Sequence, residues 1–304
     1  MQDSAVELSV VIGTHDAAAV IEECLAALEH QNRPARMEII VADSSRDGTD
    51  RIIQARHPQV QLLHFDAPLT LPELRGRAIA RALGRIIAIL DPYSIVEPDW
   101  AQEVMEAHER LPNLVIGGAV DLYRAAQQRW LAWSIYLNEY GLFMPPCTAG
   151  KVTIVPGSNV SYKRTALFDS AAPRHGTFWK TFVNWTAEDA GSPLWLEPRI
   201  RVSLHKPIPF RDFLATRYLH GRCFAAMRVQ GRGWGVRVLR AASTPLVPAL
   251  QIARWTRGFW PKGRRRGIYL LTLPLQLALF AMWAWGEFCG YLRGDGGACR
   301  QLFY

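Results

Sequence analysis

A chain of 304 residues, 49% of them hydrophobic, is long enough to bury one large core or two smaller ones, and it contains no internal repeat or low-complexity segment. The formal charge of +8 is uneven: residues 1–198 hold 17 Lys and Arg against 24 Asp and Glu, whereas residues 199–266 hold 16 Lys and Arg against Asp212 alone. The five cysteines show no Cys-x-x-Cys and no zinc spacing, which excludes a zinc-organised fold and leaves them as free thiols in a reducing compartment.

Leu8-Ser9-Val10-Val11-Ile12 is a β-branched run that reads as a buried strand. Residues 17–28 have helical spacing, with Asp16 as N-cap and Pro34 closing the element. Glu38 to Ala42 is a second strand, 43–48 a polar loop and 49–56 a helix. Val60 to His64 is a third strand, 72–83 a helix with Pro72 in its first turn, and Ile86 to Leu90 a fourth strand. Strands alternating with helices at this spacing imply βαβ units and a mostly parallel sheet. Asp91 then falls at the carboxyl end of a buried strand, where open α/β sheets bind ligands.

Beyond Trp100 the pattern loosens. A helix is expected over 99–109, a strand over 114–120, an aromatic-rich helix over 127–139 and a loop over 141–150. A strand over 151–155, a helix over 178–190 stopping at Gly191, and two short strands at 194–196 and 200–204 complete the globular part. Residues 210–230 read as a basic amphipathic helix, suited either to lipid headgroups or to a solvated face on the globular domain. Residues 241–253, with Pro245 and Pro248, are short for a span and suit an interfacial piece. Ile268 to Trp285 carries no formal charge and reaches the lower length for a bilayer-spanning helix. The adjacent Lys262, Arg264, Arg265 and Arg266 match the positive-inside pattern. No signal peptide is expected, since Asp3 and Glu7 are acidic and no long apolar run follows. The expected organisation is a globular domain over 1–206, a basic interfacial segment over 207–266 and a transmembrane helix with a short tail over 267–304. The globular part is expected on the cytoplasmic side of an inner membrane.

Six segments in order resemble the family 2 glycosyltransferases of GT-A fold. They are SVVIGTHDA at 9–17, IIVADSSRDGT at 39–49, LRGRAIARALG at 74–84, IAILDPYSIVEPDW at 87–100, PGSNVSYKRTAL at 156–167 and LWLEPRIRVSLHK at 194–206. The resemblance implies a Rossmann-like α/β domain that binds a nucleotide-sugar donor. By position it implies Asp43 at the nucleobase, Thr14 and Asp16 flanking the same crevice, Arg75 and Asp91 near ribose and diphosphate, and Gly157, Ser158 and Asn159 on the acceptor side. Asp91 is the implied metal ligand and the residue on which catalysis turns, with Mg2+ or Mn2+ the implied ion.

Two departures qualify the chemistry. The family's D-x-D becomes Asp91-Pro92-Tyr93, and a phenol with a pKa of about 10 is a poor ligand for hard cations. The family's Glu-Asp pair, which supplies the base, aligns with Trp179-Lys180, while Glu188-Asp189 lies about two helical turns later; Lys180, Glu188 and Asp189 are expected on the acceptor side. Lys180, Arg174 or His175 is then a candidate to replace part of the metal's charge. Two readings stay open: sugar transfer to a lipid-linked or membrane-embedded acceptor in envelope glycan or glycolipid synthesis, or a catalytically degenerate relative that binds a nucleotide sugar or a partner. An anionic membrane surface is the expected partner of the basic belt. Nucleic acid is not expected, because no nucleic-acid motif is present.

Overall fold

The computed structural model describes residues 6–32, 36–168, 176–206, 208–263 and 265–302. Pro34, Arg174, His175 and Arg264, which figure in the expectations above, lie outside the described residues. The chain divides into two compact units, residues 1–123 with 143–205 and residues 124–142 with 206–304.

The first unit is a mixed sheet flanked by helices. Its strands are β1 (Leu8–Thr14), β2 (Met37–Asp43), β3 (Gln61–His64), β4 (Ile86–Leu90), β5 (Ser94–Val96), β6 (Val115–Leu122), β7 (Gly150–Lys151), β8 (Asn159–Lys163) and β9 (Trp195–Leu204). They lie in the order β3-β2-β1-β4-β8-β6-β9-β5, with β7 on β9. The half β3-β2-β1-β4 is wholly parallel, as expected of βαβ units, and β8 then runs antiparallel to β4. All seven residues of β1 are buried, which explains its unbroken apolar, β-branched sequence.

The helices are α1 (Ile21–Glu29), α2 (Thr49–Arg56), α3 (Leu71–Ile79), α4 (Trp100–Arg110), α6 (Arg164–Phe168) and α7 (Lys180–Asp189). A capping box starts α3: Thr70 N–H donates to Glu73 Oε2 at 2.8 Å, and Pro72 sits in the first turn. Its buried Leu74 and Ala78 join Val11, Ile40, Ile87 and Tyr162 in one core cluster. Each such Leu or Ile contributes about 1.5–3 kcal/mol by leaving water.

Several local expectations need correction. The first helix begins at Ile21 with Val20 at its N-cap, because Asp16 adopts a left-handed φ of 49° and turns the chain first. The strand at 151–155 shrinks to Gly150–Lys151, where only two residues pair with β9. The two short strands at 194–204 are one strand, β9, whose register with β6 shifts between Gly118 and Ala119. β5 was not foreseen; three residues are too few to show alternation.

The second unit is helical: α5 (Trp130–Tyr140), α8 (Phe210–Arg228), α9 (Trp234–Ser243), α10 (Val247–Phe259) and α11 (Arg266–Arg293). α8 lies against α11, where Gly286 and Gly290 meet the backbone of Tyr218 and Arg222 so closely that no Cβ fits. Phe213, Ile135 and Leu279 form a buried cluster between α8, α5 and α11. α11 is long and apolar enough to cross a membrane by length and composition. Cys223 and Cys299 are disulfide-bonded across 76 residues, which corrects the expectation of five free thiols and removes cysteine usage as grounds for a reducing compartment. The bond was invisible in the sequence because only helix packing brings α8 beside the short helix at Ala298–Gln301.

Candidate functional site

The parallel strands β1, β2 and β4 end on one edge of the sheet, and the register places their terminal residues side by side. Thr14 pairs with Asp43, and Ile12 with Leu90, so Asp91 follows one step beyond β4 beside β1. Asp43 and Asp91 therefore share one edge, with the end of β1 between them. This is the edge at which open α/β sheets bind ligands.

Asp43 is fully buried and its carboxylate is surrounded by donors. Thr14 Oγ1 donates to Oδ1 at 3.1 Å, the Ser45 backbone N–H reaches Oδ1 at 3.2 Å and the Ser45 hydroxyl joins them. His64 Nδ1 lies 2.7 Å from Oδ2. Asp43 is thus an organiser that fixes four groups at the strand ends. His64 and Ser45 were missed in the sequence, though His64 pairs with Asp43 as the last residue of β3.

The loop after β2 is tied down from below. Asp16 Oδ1 accepts from Arg46 N–H at 2.9 Å, and Asp16 N–H donates to Ser45 Oγ at 2.8 Å. Asp47 accepts from Ala18 N–H at 2.9 Å, Thr49 N–H at 3.1 Å and Thr49 Oγ1 at 2.6 Å. Burial alone pushes the Asp47 carboxyl up, but these hydrogen bonds, led by the Thr49 hydroxyl, outweigh it and hold the group below its ordinary value.

Asp91 is 4% exposed and forms an ion pair with the guanidinium of Arg75 from α3. Arg75 Nε is buried with no hydrogen-bond partner among the described residues. Gly13 lets α3 come this close: a Cβ there would lie 2.9 Å from Leu71 and 3.2 Å from Arg75. The turn is fastened by Asp91 N–H to Ser94 Oγ at 3.3 Å and Ser94 N–H to Asp91 O at 3.0 Å. Beneath it, burial first and the Asp91 charge second push the Cys24 thiol up to about 12, so it is no thiolate nucleophile. Tyr93 O accepts from His205 N–H at 2.9 Å, and the His205 ring stacks on Tyr123 with centroids 5.0 Å apart.

The acceptor-side expectations separate. Gly157 has open space around the position of a Cβ. Ser158 is fully buried, its carbonyl takes the Ser94 hydroxyl at 3.3 Å, and its own Oγ has no partner among the described residues. Asn159 is committed to the scaffold: Nδ2 donates to Ala119 O at 2.9 Å and Ile200 O at 3.0 Å, and Oδ1 accepts from Trp100 Nε1 at 3.0 Å. Lys180 opens α7, and Nζ donates to Val155 O at 2.6 Å.

Glu188 and Asp189 end α7 at the other edge of the sheet. Ser192, just after them, takes Leu114 N–H at 2.9 Å, and Leu114 O takes Lys163 N–H at 2.9 Å. Lys163 pairs with Ile86 at the start of β4. Five residues of strand, about 16 Å, therefore separate that edge from Asp91. This corrects their placement on the acceptor side, which rested on sequence order alone.

The donor set does not fit a protein-held divalent ion. No group of three His, Cys, Asp or Glu side chains suited to a metal occurs among the described residues. Asp91 is already paired with a guanidinium, and Tyr93 supplies a phenol where a hard cation favours a carboxylate.

The family model described as "Glycosyl transferase family 2" matches residues 9–169. No curated protein matches the sequence. Among solved structures, the mannosyltransferase PcManGT from Pyrobaculum calidifontis, in complex with GDP-Man and Mn2+, is similar with a TM-score of 0.53 at 20% identity, covering 95% of this chain and 85% of that one. S. aureus TarS 1-349 in complex with UDP has a TM-score of 0.50 at 15% identity over 69% of this chain, which spans 63% of that chain. GalNAc-T7 with UDP, GalNAc and Mn2+ has a TM-score of 0.52 at 13% identity, covering 67% of this chain and 44% of that one. At these identities the likeness shows the fold, a GT-A α/β sheet.

Proposed function

The chain belongs to glycosyl transferase family 2, and we propose that it transfers a sugar from a nucleotide-sugar donor to a membrane-associated acceptor in envelope glycan or glycolipid synthesis. The observation that carries the reading is the meeting of Thr14, Asp43, Arg75 and Asp91 at one strand edge within the family-matched residues. The similar structures bind UDP or GDP-Man, and a nucleoside diphosphate sugar suits such an edge.

In this reading the nucleobase lies over the Thr14–Asp43–Ser45–His64 network, whose fixed hydroxyl and imidazole groups define its hydrogen-bonding edge. Asp91 orients the ribose by accepting from its hydroxyls and holds the Arg75 guanidinium for the diphosphate. Arg75 supplies positive charge where the leaving diphosphate becomes more negative, and a preformed charge inside a buried site needs no reorganisation. The strand ends hold the donor, and Gly157 and Ser158 line the acceptor side, so positioning supplies much of the rate. Lys180 adds a cation at the start of α7. No step is assigned to a metal, because the donor set above does not build its site. Membrane attachment through the basic helical unit raises the local concentration of a lipid-linked or membrane-embedded acceptor. A cytoplasmic-side location at an inner membrane fits the anionic lipid surface that the basic residues 199–266 complement.

A second reading is favoured by one observation, the placement of Glu188 and Asp189 far from Asp91: a relative that binds a nucleotide sugar without turnover. Purified protein incubated with UDP- and GDP-sugars separates the two. Donor hydrolysis or transfer that is lost in Asp91→Ala supports the enzyme; donor binding with no turnover under any acceptor overturns it.

A further inference from the structure

The helical unit turns apolar side chains outward that its own packing does not use. On α9, the turn after it and α10, Trp234, Leu239, Leu246 and Leu250 are 62%, 72%, 62% and 65% exposed. Arg232, Arg254 and Arg257 are exposed among them. On α11, Leu270, Leu277 and Trp285 are 53%, 51% and 56% exposed, and their spacing puts them on one stripe of the helix. The opposite stripe, with Tyr269, Gln276, Leu279 and Phe280, is buried against α5, α8 and α10.

That packing decides how α11 meets a bilayer. The middle of the uncharged stretch 268–285 falls beside Gln276, and Leu279 is about 4 Å further along the helix axis. Leu279 packs on Phe213 of α8, and the two residues before Phe213, Arg211 and Asp212, are exposed. If α11 crossed a bilayer, these two charges would sit close to the centre of a hydrocarbon layer about 30 Å thick, from which charges are expelled. A helix lying in the plane of one leaflet meets no such conflict, because only its outward stripe enters the apolar layer.

We infer that the helical unit is monotopic. It docks on one face of an anionic bilayer through α9, α10 and the Leu270–Leu277–Trp285 stripe, and α11 does not cross. The charge of residues 199–266, 16 Lys and Arg against one Asp, complements anionic lipid. Trp234, Trp260 and Trp285 carry the amphipathic rings that favour the headgroup boundary. The inference rests on the membrane-associated reading for its biological sense, but its test needs no enzymatic activity.

Two measurements on the full chain test it. In sealed membrane vesicles from expressing cells, Arg266→Cys and Arg293→Cys, at opposite ends of α11, are each exposed to a membrane-impermeant maleimide, with the wild-type protein as background. Labelling of both from the same side is expected; labelling of the two ends from opposite sides overturns the inference. Purified protein is then sedimented with phosphatidylcholine vesicles containing roughly a third phosphatidylglycerol. Binding is expected to fall at least about tenfold in Leu239→Glu/Leu250→Glu and to weaken on pure phosphatidylcholine, with nucleotide-sugar binding unchanged. Undiminished vesicle binding by the double variant overturns it. Loss of sugar transfer with vesicle binding intact would count against the enzyme reading alone.

Discussion

The guanidinium of Arg75, on the second turn of α3, is paired with the carboxylate of Asp91, the residue just past β4. The pair links the helix after β3 to the end of β4 and leaves Arg75 Nε without a hydrogen-bond partner among the described residues. A donor diphosphate would meet a charge that is already in place.

Asp91→Asn keeps the side chain's shape and removes its charge. Transfer is expected to fall by a factor of about 10²–10³ in kcat/KM, of the order seen when one preorganised electrostatic group is lost. Circular dichroism should be unchanged. Full activity in the variant would remove Asp91 from the chemistry.

The network around Asp43 should set donor affinity. Thr14→Val and His64→Phe each delete one partner of a buried carboxylate, at a cost of about 1–3 kcal/mol divided between folding and binding. Isothermal titration with UDP and GDP should show weaker binding in both variants. Equal affinities would mean that the nucleotide binds elsewhere.

Gly76 lies on α3 and is buried against the 176–178 segment. A Cβ at this position would run into the carbonyl of Gly176, and Phe178 N–H holds that segment to Pro72 O at 2.8 Å. Gly76→Asn is therefore expected to destabilise the fold by about 1–3 kcal/mol, the range for overpacking. Chemical denaturation would measure it, and a neutral result would show that the 176–178 segment yields freely.

His108 gives a pH dependence. It is 3% exposed, its Nε2 lies 2.8 Å from Ser161 Oγ and its Nδ1 has no partner among the described residues. Burial first, then the charges of Lys163 and Arg85, push it from 6.5 down to about 3. Below pH 6.5 the unfolded chain takes up a proton that the folded chain refuses, so stability is complete above that pH and falls as the pH drops toward 3. Between there and pH 5 the loss is about 2 kcal/mol. His108→Gln should flatten this slope in melting curves; an unchanged slope would point to another group.

Tyr93 offers a gain-of-binding test. Tyr93→Asp places a second carboxylate near Asp91, and Mn2+ affinity measured by the paramagnetic resonance of free ion should rise about tenfold. No change would mean that the turn points position 93 away from Asp91.

Much of the sheet was legible because buried parallel strands must be continuously apolar. The runs at Leu8, Glu38, Val60 and Ile86 led to β1, β2, β3 and β4 within a residue or two at most boundaries. That Asp43 and Asp91 share one edge was legible for the same reason: parallel strands send their carboxyl ends to one edge; Arg75 entered only through the family resemblance. Local sequence could not show that His64 would turn onto Asp43, that Asn159 would spend its amide on β6, β9 and Trp100, or that Cys223 would meet Cys299. Those partners lie 21 to 76 residues away in the chain.

By itself the sequence determined the βαβ order, the edge of the sheet that carries the site and the uneven charge, because each follows from periodicity and composition over a few residues. Only the tertiary structure decided that Glu188 and Asp189 end α7 at the far edge, that Arg75 neutralises Asp91, and that one stripe of α11 is buried beneath α8. A helix repeats every 3.6 residues whatever surrounds it, so its pattern marks a face but not the neighbour that covers it.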